Sequence, residues 1–151
     1  MEEYQNENKC LKTILEEILN KQREMSKKKC ELNLLGMQLN NTLPIILYCD
    51  IEPFKVEGVT TYFDICLKRE RFVCFTTFLF QVVNLEDDCV VLKLLKFKNH
   101  HKCAQDCNDH KCSPFCQLNN EFVDEIISTS VCIKAKISSF SSIQCLPAVC
   151  L

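Results

Sequence analysis

The chain has 151 residues, a formal charge of -2 and a composition that is 47% hydrophobic and 25% charged. That excludes disordered, collagenous and low-complexity classes, requires a buried core, and gives no general attraction to nucleic acid or anionic membranes. The anomaly is 13 cysteines beside only two glycines, close to the density of a disulfide scaffold.

Met1 to Lys9 is acidic and polar, without the basic start and apolar run of a secretory signal. The chain is therefore expected to be made in a cytosol, where thiols stay reduced. No apolar stretch reaches the roughly 18 residues of a membrane span, because Thr76, Thr77 and Gln81 interrupt the run from Phe72 to Val83. Membrane insertion is not expected. The cysteines must then bind metal, fill a core, or meet an oxidising environment by a route other than secretion. Since 13 is odd, full pairing inside one chain is impossible, and the natural place for a remaining thiol is a partner chain.

Residues 2–29 are predicted to form one amphipathic helix. Leu11, Ile14, Leu15, Ile18, Leu19, Gln22 and Met25 fall on one stripe of helical period, interrupted only by Gln22. Glu2 and Glu3 at the start and Lys27, Lys28 and Lys29 at the end suit the helix dipole. The lysine run reads as a solvated helix end, and the stripe as a core face, with a coiled-coil seam docked on a neighbouring subunit as the alternative.

From Leu43 onward the pattern is of β type: Ile45–Tyr48, Phe54–Val56, Thr60–Leu67, Phe72–Val83, Cys89–Phe97 and Val131–Ile137. A hairpin is expected from Phe78–Val83 through Asn84–Asp88 to Cys89–Leu92, with Asn and Asp supplying left-handed turn geometry in place of glycine. Asn99, Asn108, Asn119 and Asn120 are placed for further turns. The expected fold is mainly β: an N-terminal helix and connector over 1–42, then an antiparallel β-sandwich or jelly-roll-like domain of about seven or eight strands over 43–151, with a Cys/His-rich loop at 99–119.

Strand parity places Cys132 with Lys134 and Lys136, and Cys66 with Asp64 and Lys68, on polar faces. Both thiols should look outward. Cys74 lies in a strand apolar on both faces, and Cys89 opens a strand whose alternation breaks at Leu94–Leu95; parity leaves their direction open.

The densest constellation is His100, His101, Cys103, Cys107, His110, Cys112 and Cys116, four cysteines spaced C-x3-C-x4-C-x3-C with all three histidines. Thiolates and imidazoles at these intervals suit zinc, although the spacing is not the C-x2-C of most zinc fingers. Disulfides, cross-links to a neighbour, and a loop of merely accessible thiols fit the same residues. Pro114 and the polar composition put the cluster in an exposed loop. The metal alternative uses Cys103, Cys107, His110, Cys112 and Cys116. No phosphate loop, Gly-x-Ser-x-Gly or C-x-x-C is present, and a Cys107–His110 pair lacks an orienting acid, so no enzyme is expected.

Several blocks in order carry a family likeness: Asn41–Tyr48; Phe80–Val82 leading to Asp87–Leu95; Ser128–Ile133; and Ser142–Leu146. Cys10 before a helix, Cys30 after it, and Leu34-Leu35-Gly36 before the first strand fit as well. Across most of its length the chain resembles the cysteine-rich spore-coat protein Y/Z family of the outer crust and exosporium basal layer of endospores. The resemblance implies a structural protein without cofactor, synthesised in the mother-cell cytoplasm and deposited on the spore surface. It also implies that the protein assembles with itself and other spore-coat proteins into two-dimensional arrays locked by intersubunit disulfides. Carried over position by position, the cross-linking candidates are Cys10, Cys30, Cys74, Cys89, Cys132 and Cys145. The loop cysteines Cys103, Cys107, Cys112 and Cys116 have no counterpart in the family and join the candidates on chemistry alone. Cys49, Cys66 and Cys150 carry no family role. The family's N-terminal His/Cys-rich tract is missing. A coat protein meets oxidant only when the mother cell lyses, so assembly is expected to precede oxidation.

Overall fold

A computed structural model describes residues 2–32, 40–98 and 113–151, and in the first helix the side chains of 10–27. Helix α1 runs Glu2–Leu32, three residues past the expected end. Nothing in Cys30-Glu31-Leu32 breaks a helix, so Cys30 lies inside α1 and not after it, and Cys10 likewise lies inside α1 and not before it, because the helix starts at Glu2. Leu11, Leu15, Ile18 and Leu19 are buried and Ile14 packs beside them, as the stripe predicts.

Eight strands follow: β1 Ile45–Cys49, β2 Glu52–Pro53, β3 Val56–Asp64, β4 Arg69–Thr77, β5 Phe80–Glu86, β6 Cys89–Phe97, β7 Ile126–Lys136 and β8 Ser142–Cys145. A short helix α2, Pro114–Leu118, precedes β7. All pairing is antiparallel. The main sheet runs β8-β1-β5-β6-β7, with β2 beside the end of β1, and β3–β4 form a separate two-stranded sheet. The expected mainly β, antiparallel architecture with a leading helix is the observed one.

One face of the main sheet carries the larger core, in which Ile45, Leu47, Phe80, Val82, Val90, Leu92 and Leu94 meet the α1 stripe and Phe75 at the base of β4. The second core joins Ile46, Leu79, Leu95, Phe97 and Ile126 to Val149 and Leu151 of the C-terminal tail and Leu118 of α2. Leu94 and Leu95 are both fully buried, one in each core. Their break in alternation is a β-bulge, seen as a register shift between Lys93 and Leu95 against β7.

Gln22, the one polar residue of the stripe, is buried for a reason the periodicity does not show. A second bulge interrupts β5 between Val82 and Asn84, and the Gln22 Nε2 donates to the Val82 carbonyl at 2.8 Å. Its Oε1 accepts from the Leu43 N–H at 3.0 Å. One amide thus satisfies two backbone groups and fastens helix, strand and connector together.

The run Phe72–Val83 is not one strand. It divides at Phe78–Leu79, where the Thr77 hydroxyl donates to the Leu95 carbonyl (2.6 Å) and accepts from the Leu79 N–H (3.0 Å). Gln117 of α2 completes the junction, its Nε2 donating to Thr77 (2.8 Å) and its Oε1 accepting from the Phe78 N–H (2.8 Å). With its backbone groups satisfied by side chains, the chain can change sheets inside the core.

Asp50, Asp87 and Asn120 adopt positive φ at turns, as does Lys68. Gly58, by contrast, lies within β3 directly opposite Phe75. A Cβ there would stand 2.4 Å from Phe75 Cζ and 2.9 Å from Leu94 Cδ2, so the missing side chain makes room for the ring that seats the arm on the sheet.

Two stability outcomes are expected for the reduced protein in denaturant titrations. Gln22→Met keeps the volume but strands the Val82 carbonyl and the Leu43 N–H, and should cost about 1–3 kcal/mol. Gly58→Ala should cost about 1–3 kcal/mol by overpacking, and combining it with Phe75→Leu should cost less than the sum of the two single changes.

Candidate cross-linking surface

Free cysteine is ordinarily among the most buried residue types. Here Cys10, Cys66, Cys74, Cys116, Cys132 and Cys145 are exposed, Cys49, Cys89 and Cys150 are half-buried, and no disulfide joins any two of these nine. None of the nine is fully buried, and of them only Cys49 packs against a core, at the margin of the larger one. Cys103, Cys107, His110 and Cys112 lie outside the described residues, as does the side chain of Cys30.

The elements that carry the thiols set their directions. In β7, Val131, Ile133 and Ala135 turn toward the core and Cys132 points outward with Lys134 and Lys136, as parity predicts. Cys132 is paired with Lys93 and Cys89 with Lys136, so both thiols share the outer face of the sheet with three lysines. Lys134 bonds Glu86 across this face, which raises the lysine's pKa through that hydrogen bond and the opposite charge. Cys145 lies on β8 opposite Ile45. Because among the described residues β7 pairs only with β6 and β8 only with β1, Cys132 and Cys145 mark opposite edges of the described main sheet.

Cys74 projects from β4 on the side of the arm away from the core, opposite Val59. Cys66 is outward as expected, but it sits in a turn and not on a strand face. The Asp64 Oδ1 accepts from the N–H groups of Cys66 (3.0 Å) and Leu67 (3.1 Å), and its Oδ2 accepts from Arg71 (2.6 Å). This Asx-type turn ends β3 early, and the Leu67 N–H and then the Arg71 guanidinium hold the Asp64 carboxyl below its ordinary pKa. Cys116 lies in α2, exposed and next to the buried Gln117. There the Ser113 hydroxyl accepts from the Cys116 N–H at 3.3 Å, an N-cap with Pro114 in the first turn.

Register also limits which thiols can meet. Cys89 and Cys132 are four residues apart along the β6–β7 ladder, about 13 Å, and Cys49 and Cys145 are offset by four along β1–β8, again about 13 Å. A disulfide needs Cα atoms within about 7 Å. These pairs cannot close within one folded chain, and their cysteines are geometrically available to another. Among the described residues no group of three or more His, Cys, Asp and Glu could hold a metal ion, and no helix is long and apolar enough to cross a membrane.

Cys49 is half-buried at the end of β1. Burial first, and then the charges of Asp50 and Glu52, push its pKa up, which lowers its thiolate fraction near neutrality. In a timed alkylation of reduced protein at pH 8, read by mass spectrometry, Cys66 and Cys132 should react well before Cys49. Asp50→Asn with Glu52→Gln should accelerate Cys49 while leaving Cys132 unchanged. Raising the pH should narrow the gap, because a raised thiol pKa delays thiolate formation to more alkaline solution.

No curated protein and no solved structure matches the chain. The family model described as spore coat protein Z matches residues 1–148, almost the whole length, including the larger core, the second core apart from Val149 and Leu151, and all the described thiols except Cys150. An antiparallel fold with its cysteines displaced to edges, turns and outer faces is thus joined to a family match over nearly every residue: the chain belongs to the spore coat protein Z family and is a structural protein of the spore coat.

Proposed function

We propose that this protein is a non-enzymatic subunit that assembles with copies of itself, and with other coat proteins, into a two-dimensional layer on the endospore surface, and that disulfides between subunits then reinforce the layer. The supporting observation is the exposure of six of the nine described thiols together with the ladder offsets that keep Cys89 from Cys132 and Cys49 from Cys145. On neighbouring subunits, thiols at edges and turns can approach without disturbing either core.

Synthesis in the mother-cell cytoplasm supplies a reduced subunit, and release to an oxidising exterior supplies the conditions for cross-linking. Many cross-links per subunit would make the layer kinetically resistant, since escape of one chain would require several to break.

The purified full chain, freed of reductant, should form ordered layers or large oligomers in electron micrographs. A non-reducing gel should show a ladder of multimers that collapses to monomer with reductant. Cys132→Ser with Cys145→Ser should shorten the ladder while leaving non-covalent assembly in place. A protein that stays monomeric under all oxidising conditions would refute the proposal. Stoichiometric zinc in the reduced protein, lost on Cys107→Ser or Cys112→Ser, would assign the 100–116 cluster to metal instead of cross-linking.

A further inference from the structure

The β3–β4 arm holds most of the exposed large apolar side chains among the described residues. Val59, Tyr62, Phe63, Ile65, Leu67 and Phe72 are 52–79% exposed. The arm is a continuous ladder of nine residue pairs from Val56↔Thr77 to Asp64↔Arg69, about 26 Å from end to end. Only its base, around Phe75, belongs to the core. At its tip stand Ile65 (77% exposed), Cys66, Leu67 (65%), Lys68 and Arg69. Arg71 is engaged by Asp64, which leaves Lys68 and Arg69 as the tip's outward cations.

A second apolar projection has the opposite charge. The β1–β2 turn presents Ile51, 92% exposed, between the exposed acids Asp50 and Glu52, with Cys49, half-buried and packed against the margin of the larger core, directly before them. This turn is braced from behind, where the Ser141 hydroxyl donates to the Tyr48 and Asp50 carbonyls at 3.2 and 3.0 Å. Both projections are fixed by local hydrogen bonds, so contact between them requires no refolding.

We propose that the basic, apolar tip of the β3–β4 arm docks on the acidic, apolar β1–β2 turn of a second copy of this chain, and that oxidation then joins Cys66 to Cys49 of that copy. The inference deepens the self-assembly reading and rests on it. A second copy is the occupant because the chain itself carries the surface that complements the tip: opposite charge, an exposed branched aliphatic residue and a thiol. The two patches lie at different places on one subunit, so the contact is heterologous and each subunit offers one of each to the next. Such contacts propagate unless the rotation closes a ring.

Docking would also activate the slower thiol. Asp50 and Glu52 help hold Cys49 protonated, and Lys68 and Arg69 brought against them offset that field. The oxidant is a small disulfide of the low-molecular-weight thiol class. The Cys66 thiolate attacks it, forming a mixed disulfide and releasing one thiolate. The Cys49 thiolate of the second copy then attacks the Cys66 sulfur and expels the second. Two protons leave the protein, and two electrons reduce the small disulfide to two thiols.

The test mixes full-length chains of normal and 15N-labelled isotopic composition, oxidises them with oxidised glutathione, and maps disulfide-linked peptides without reduction. Isotopically mixed Cys49–Cys66 peptides are expected. Asp50→Lys with Glu52→Lys should lower their yield about fivefold or more, and mixing that variant with Lys68→Glu, Arg69→Glu chains should restore it. Yield in the unaltered protein should also fall as salt is raised. Reductant-sensitive multimers in which Cys66 is linked elsewhere, including to another Cys66, would overturn this contact and leave the assembly reading standing. A chain that forms no multimers would overturn both.

Discussion

The buried junction at Thr77–Leu79 is the constraint on which the rest of the structure depends. An antiparallel chain leaving one sheet for another exposes backbone groups that the ladder no longer pairs, and inside a core each such group costs about 1–3 kcal/mol if unsatisfied. Here the Thr77 hydroxyl and the Gln117 amide take them up. The junction therefore holds β4 away from β5, lets β3–β4 stand as a separate arm, and anchors α2 beneath the main sheet. Gln22 performs a similar service at the β5 bulge. Two glutamines and a threonine, among apolar neighbours, decide where helix, arm and sheet lie relative to one another.

Once the arm is separate, its composition follows a different logic from that of the core. The residues that seat it, Phe75 over Gly58 and against Leu94, are packed so closely that a methyl group would not fit, and Lys96 places its ammonium 5.3 Å from the Phe75 ring centroid, a cation–π contact. Beyond that base, apolar side chains face water. Exposed edges and apolar strands are usually blunted in soluble monomers. In the assembly proposed above, neighbouring subunits would cover them.

Much of this was legible in the sequence where one periodicity governs an element. The α1 stripe, the bounds of β6, the bulge at Leu94–Leu95 and the outward direction of Cys132 are all properties of a 3.6- or 2-residue repeat. The missed features depend on contacts between distant segments. Nothing local in Phe72–Val83 marks a change of sheet, because the partners that permit it are Leu95 and Gln117. Ser142–Cys145 is too short and polar to read as a strand, yet β1 supplies a ladder for it. For the site, parity gave Cys132 but misplaced Cys66, whose turn is made by the Asp64 carboxylate. The Asp–x–x–Leu–Lys–Arg pattern of that turn was a usable signal, since Asp commonly bonds the backbone two residues on. The complementarity of the tip with Asp50-Ile51-Glu52 was not accessible from sequence, because it requires knowing that both segments project.

A layer assembled from such subunits has to solve a problem of order. Thirteen thiols meeting an oxidant at random would form many wrong links, and a disulfide once made constrains every later step. Geometry removes part of the risk, since ladder offsets of about 13 Å keep two pairs apart within a chain. Electrostatics removes another part at Cys49, which burial and two neighbouring acids keep protonated. A thiol restrained in this way reacts slowly with free oxidant and faster once cations arrive, so its chemistry is coupled to recognition. In the assembly proposed above, reversible contacts between charged, apolar projections would select the register before disulfide formation fixes it.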